Sequence, residues 1–222
     1  MKKPAARRAF CFTFGIIMLR ALQSFVLTVV FAATAAAQTV QRKFDRTVDV
    51  RAGSAVSIEN TNGSVSISMW DQPRVRIHAI RKAETREALD KLDVDIVRTS
   101  DGLKIRTVHP YKRDAGVLDY IFGIDIFGDG NTSVDYEVTV PRSARTMRFE
   151  TTNGSITLLV PDSFAANVEA RTTGSGLVRT KLLMATKTVN PRELRGTING
   201  GGAQLGMYTT NGNIEMRATG TR

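Results

Sequence analysis

The chain has 222 residues, a formal net charge of +10 and 42% apolar residues. That is enough apolar chain to bury a core, and it excludes wholesale disorder. One cysteine excludes a disulfide scaffold within the chain and any cysteine-rich zinc site.

The first 37 residues read as a secretory signal. Lys2, Lys3, Arg7, Arg8 and Arg20 precede the uncharged stretch Ser24 to Ala37, which ends in Ala35-Ala36-Ala37. A basic start, an apolar run and small residues at the exit are what a signal peptidase reads. Met18 is an alternative start, and Arg7-Arg8 resembles a twin-arginine signal. The uncharged run is too short for a transmembrane helix. Cys11 lies upstream of it, not at the lipoprotein position. Removing the five basic residues of this segment from 31 leaves 26 against 21 acidic ones, so residues 38–222 carry +5. Half of the basicity therefore belongs to the targeting segment.

Residues 38–222 read as a single β-rich domain. Apolar side chains alternate with polar ones at Val48 and Val50, Val56 and Ile58, then Val65, Ile67 and Met69. The alternation continues at Val75, Ile77 and Ala79, Val94 and Ile96, Leu103 and Ile105, and Val138 and Val140. Period two places each set on one face of a half-buried strand. The exception is Ala83 to Leu92, where Ala88, Leu89 and Leu92 recur at helical spacing. One short helix is expected there.

Turns recur with one chemistry. Asn62-Gly63-Ser64-Val65, Asn153-Gly154-Ser155-Ile156 and Asn211-Gly212-Asn213-Ile214 are three copies. Thr173-Gly174-Ser175-Gly176 is a degenerate fourth, and Asn199-Gly200 begins a further glycine turn. Asn and Gly accept positive φ, and Asn-Gly between alternating runs predicts hairpins in an antiparallel meander or sandwich. The same tetrad in one phase also fits a solenoid, each copy turning a corner of one coil. The spacing is irregular, with 20 residues from Gly154 to Gly174 and 12 from Gly200 to Gly212. These turns are read as structural, without a ligand role.

The sequence from Phe44 to Met216 resembles the bacterial "putative adhesin" domain-of-unknown-function family. The match is carried by Asn62 to Ile67 with Trp70-Asp71, by Asp135 to Pro141 and by Thr152 to Ile156. Leu194 to Gly202 and Thr210 to Ile214 complete it. The resemblance implies an exported all-β protein with a right-handed β-helix or β-solenoid-like stack. It supplies no catalytic residues. The chain departs from the family between His109 and Asn131, a variable insert crowded with Lys112, Arg113, Tyr120, Phe122 and Phe127. One reading is a hairpin folded over the core. The other is a contact patch for a partner.

A search for chemistry finds little. His78 falls on the outward face of its strand and His109 precedes Pro110, with no nucleophile paired to either. No metalloprotease, nucleophile-elbow or P-loop motif occurs. Asp125, Asp129, Gly130 and Asn131 partly match a calcium loop, but Phe127 stands where an oxygen ligand is needed and Tyr136 replaces the closing Glu. Asp71, Asp93 and Asp95 are scattered. No metal or cofactor is expected. Basic residues alternate along strands, as in Arg74-Val75-Arg76, which is the pattern of a solvated face and not of nucleic-acid binding. The leading expectation is a non-enzymatic envelope protein, periplasmic, surface-bound or secreted. It would present a β scaffold to an anionic polysaccharide, a lipid head group or a protein. The alternatives are a polysaccharide hydrolase or lyase, and a periplasmic partner of a membrane signalling system.

Overall fold

The computed structural model describes residues 39–109 and 132–220. They form two mixed β-sheets and one short helix. The first sheet contains β1 (Val40–Asp49), β3 (Val65–Trp70), β4 (Arg74–Ala83), β7 (Ser133–Pro141), β9 (Ile156–Val160), β11 (Val178–Thr180) and β15 (Ile214–Ala218). The second contains β2 (Ala55–Asn62), β5 (Asp93–Arg98), β6 (Gly102–Val108), β8 (Thr146–Asn153), β10 (Ala166–Thr172), β12 (Ala185–Asn190), β13 (Glu193–Ile198) and β14 (Ala203–Asn211). Their orders are β1-β4-β7-β3-β9-β15-β11 and β12-β13-β10-β14-β8-β2-β6-β5.

The Asn-Gly tetrads do not close hairpins, which overturns the meander expected from them. Each carries the chain from the second sheet to the first: β2 to β3, β8 to β9 and β14 to β15. The degenerate copy does the same for β10 to β11. In the second sheet β2, β8, β14 and β10 run parallel, and in the first β3, β9, β15 and β11 do. The physical reason is visible in the inward rows. Val56, Met147, Leu205 and Val168 stand in register, as do Ile58, Phe149, Met207 and Ala170. All eight are buried. On the first sheet Val65, Ile156, Ile214 and Val178 align, followed by Ile67, Leu158 and Met216. Each unit buries its apolar face against both its neighbour and the opposite sheet, and the two inward faces make one core.

Two further pairs, β2 with β6 and β3 with β7, are also parallel, and the rest are antiparallel: β1 with β4, β4 with β7, β5 with β6, and β13 with both β10 and β12. The helix α1 spans Arg86–Lys91, shorter than the Ala83 to Leu92 expected. Thr85 caps it by accepting from the Ala88 amide at 3.1 Å, and Leu92 already has extended backbone. Ala83 ends β4. Leu89 and Leu92 are buried, so the helix packs its apolar side down as the spacing implied.

Candidate functional site

The predicted turn residues gather in one column where the chain changes sheets. Asn62, Asn153 and Asn211 form a head-to-tail amide ladder. The Asn153 Nδ2 donates to Asn62 Oδ1 at 2.8 Å, and Asn211 Nδ2 donates to Asn153 Oδ1 at 2.9 Å. Asn62 Nδ2 donates onward to the Thr132 carbonyl at 3.2 Å. Behind the ladder lies a buried polar row of Asn60, Thr151, Thr209 and Thr172. Thr151 and Thr209 donate to the carbonyls of Gly63 and Gly154 at 3.2 and 2.9 Å. Asn60 Nδ2 donates to Val134 at 2.9 Å and to Gly63 at 3.1 Å. These bonds satisfy the backbone groups exposed as the chain leaves one sheet for the other.

Glycine is needed here partly for the expected reason, since Gly63 and Gly176 have positive φ, and partly for another. Gly154 and Gly212 lie outside the positive-φ region, and so do the three ladder asparagines. A Cβ on Gly154 would lie 1.9 Å from the Gly63 carbonyl oxygen, and one on Gly212 would lie 2.0 Å from that of Gly154. Each glycine leaves room for the backbone of the next corner. In the fourth corner Gly176 takes this place and not Gly174, because a Cβ there would lie 2.0 Å from the Gly212 oxygen. One extra residue between Thr172 and Val178 causes the shift. Gly174 instead sits against the Asn211 side chain. Asn199 and Gly200 stand apart, at the turn between β13 and β14, and both have positive φ. Asn199 Nδ2 donates to the carbonyls of Asp162 and Phe164 at 2.7 and 2.9 Å.

Other candidates remain separate. Lys112, Arg113, Tyr120, Phe122 and Phe127, with most of the insert 109–131, lie outside the described residues, as does the 1–37 segment. His78 bonds Asp45 across β1 and β4, and His109 lies within reach of Thr132. Asp93 pairs with Arg81, Asp95 with Arg106, and Asp71 with Arg142. Among the described residues no group of three or more His, Cys, Asp or Glu could hold a metal.

A groove of about 430 Å³ lies on the outer face of the second sheet. It crosses β8, β14, β10, β13 and β12. Register brings Arg148, Gly206, Glu169 and Arg195 into one row across neighbouring strands. Gly206 keeps the floor low, and the Tyr208 ring leans over it, with Cε2 only 2.7 Å from where a Gly206 Cβ would be. Arg148 lies over that ring, 4.4 Å from its centroid, and also pairs with Glu150. Arg195 binds Glu169 at 2.9 Å and Glu193 at 2.8 Å. Lys187 lies on the exposed edge strand and has no ion-pair partner among the described residues. The amides of Asn167 and Gln204 and the hydroxyls of Thr146 and Thr197 complete the lining. Burial pushes the Tyr208 phenol up, and the adjacent Glu169 carboxylate pushes it further. Tyr208 therefore stays a neutral hydroxyl at physiological pH.

Sequence reasoning missed this groove. Its side chains occupy ordinary outward positions, and only the register brings residues from Thr146 to Tyr208 together. The one local signal is Gly206, a glycine at an outward strand position two residues before a tyrosine.

No family model matches the chain, and no curated protein matches it. Three solved bacterial structures are similar to it at low levels. A "putative cell adhesion protein" from Clostridium sporogenes ATCC 15579 is 9% identical with a TM-score of 0.38, covering 81% of this chain and 100% of its own. A "putative adhesin" from Bacteroides fragilis NCTC 9343 is 8% identical with a TM-score of 0.28, covering 80% and 97%. Another from Parabacteroides distasonis ATCC 8503 is 6% identical with a TM-score of 0.25, covering 63% and 49%. Among the described residues no helix is long and apolar enough to cross a membrane.

Proposed function

We propose that this chain is an exported, non-enzymatic envelope protein that binds a glycan strand, preferably an acidic one, along the outer face of its second sheet. The observation that carries this reading is the groove itself. It is open, it mixes polar and apolar lining, and it runs across neighbouring strands as an extended ligand would. Its lining has three cationic side chains, Arg148, Lys187 and Arg195, against one carboxylate, Glu169. Its amides and hydroxyls suit a polyhydroxylated polymer. On this reading the strand–corner–strand units are coils of a β-solenoid whose rigid face presents the site, and the basic and apolar start of the chain directs export.

A lyase or hydrolase is the less favoured reading. It needs a free base or an acid and base in reach of one another. Glu150, Glu169 and Glu193 are engaged by Arg148 and Arg195, and the Tyr208 phenol is shifted away from ionisation.

The test is binding of the purified protein to immobilised acidic and neutral glycans, with Tyr208→Ala and Lys187→Ala beside the parent. Binding that favours acidic chains, weakens with salt and falls in both variants supports the reading. Equal retention by both variants overturns it. Fractionation of a tagged protein, with sequencing of its amino terminus, tests export. An intact start in the cytoplasm would contradict that part.

A further inference from the structure

A second hollow, of about 440 Å³, opens at the opposite end of the sheets from the Asn-Gly column. It lies where β2, β8, β10 and β14 begin. Its floor is small and apolar: Ala144, Ala165 and Ala203 around the buried ring of Phe164. The floor is laced by backbone. Gly53 N–H donates to Ser143 at 2.9 Å, Arg145 N–H to Ser54 at 3.2 Å, and Ala203 N–H to Ala165 at 3.2 Å. Two guanidinium groups stand at its rim. Arg142 is held by Asp71 at 3.3 Å. The Arg145 side chain has no hydrogen-bond or ion-pair partner among the described residues. An unpaired guanidinium fork over an apolar floor is complementary to a planar anion attached to a body with an apolar face.

The hollow adjoins the groove. Arg145 and Ala203 line the hollow, and the next residues along their chains, Thr146 and Gln204, line the groove. Gln204 N–H donates to the Arg145 carbonyl at 2.8 Å, joining the two borders. Asn167, in the groove, also reaches the carbonyl of Gly202 in the hollow, at 3.4 Å. A chain that turns from the groove past the starts of β8 and β14 would meet Arg145.

We propose that this hollow is a carboxylate subsite for an acidic sugar. Arg145 would grip the carboxylate while the C–H face of the ring rests on the half-buried Ala165 and Ala203. This deepens the glycan-binding reading and rests on it. Inorganic phosphate lacks the apolar face. A fatty acid lacks the hydroxyls that would continue into the groove.

The test is calorimetric titration of the full protein with trigalacturonate, neutral galactotriose, octanoate and inorganic phosphate. The variants are Arg145→Ala, Arg145→Lys and Tyr208→Ala, with melting temperature as a folding control. Arg145 is exposed, so its variants should melt like the parent. Arg145→Ala should weaken trigalacturonate at least tenfold and leave galactotriose unchanged, with partial recovery in Arg145→Lys. Tyr208→Ala should weaken both sugars. If Tyr208→Ala acts and Arg145→Ala does not, the groove stands and the subsite falls. If Arg145→Ala acts and Tyr208→Ala does not, the groove reading falls. Octanoate or phosphate binding as well as trigalacturonate would overturn the sugar assignment.

Discussion

Replacing Gly154 by Ala tests why the corners require glycine. The new Cβ would lie 1.9 Å from the Gly63 oxygen and 2.6 Å from its carbonyl carbon, where ordinary contact begins at 3.4 Å. The Gly63 peptide would have to withdraw by about 1.5 Å. That carbonyl accepts from Asn60 at 3.1 Å and from Thr151 at 3.2 Å, and the Gly63 amide donates to Asn153 at 2.9 Å. Loss of three bonds at about 1 kcal/mol each, with an overpacking strain of about 1 kcal/mol or more, gives a cost of about 4 kcal/mol. Gly200→Ala is the control. Gly200 has φ +78 and nothing within 4 Å of a new Cβ, so only the left-handed backbone opposes the change, at about 1 kcal/mol. Urea unfolding followed by far-ultraviolet dichroism and the fluorescence of Trp70, the single tryptophan, measures both. At a slope of about 2 kcal/mol/M, Gly154→Ala should lower the midpoint by about 2 M. If glycine served only to relax backbone φ, Gly154→Ala would be neutral or slightly stabilising, and Gly200→Ala would be the worse change. That order would refute the clearance argument.

Asn60→Ala should cost about 3 kcal/mol in the same assay, since it strands the buried Val134 carbonyl and removes the acceptor of the part-buried Thr107 hydroxyl. Asn153→Ala breaks the exposed middle of the ladder, where water can replace the amide, and should cost about 1 kcal/mol. Tyr136 is buried, which pushes its phenol up to about 12 despite a hydrogen bond with Thr107. Its contribution to stability is complete below pH 10 and is lost as pH rises towards 12, by about 3 kcal/mol. Base-induced unfolding and ionisation followed at 295 nm should coincide there, and Tyr136→Phe should abolish that loss. Burial alone would raise the Asp135 carboxyl, but hydrogen bonds from Lys82 and Ser64 outweigh it and hold it below its usual value. Its contribution is present above the unfolded pKa of about 4 and fades as pH falls through the lower folded value. Asp135→Asn should therefore flatten the acid limb of stability against pH.

The strands were legible because period-two burial is a local signal. Val56, Ile58, Val65, Ile67, Val75 and Ile77 are all buried as the alternation requires. Arg81 broke the pattern. It follows Ala79 on the same face of β4 and its side chain is largely covered, but the guanidinium is held there by donating to the Leu92 carbonyl at 2.8 Å and pairing with Asp93. The corners were legible as turns. What they join, and why Gly154 must be glycine, depends on Gly63, which is distant in sequence and adjacent only in the fold. The groove was illegible for the same reason. Arg148, Glu169, Arg195 and Gly206 become neighbours only through three strand registers.

The central claim is that the outer face of the second sheet is the ligand face. The direct measurement is a titration of isotope-labelled protein with an acidic oligosaccharide, following backbone amide shifts. Shifts should concentrate at Gln204 to Tyr208 with Arg148, Asn167 and Arg195, and leave Ser66, Ser68 and Trp70 on the first sheet unmoved. Shifts centred on the first sheet, or none at saturating ligand, would contradict the account.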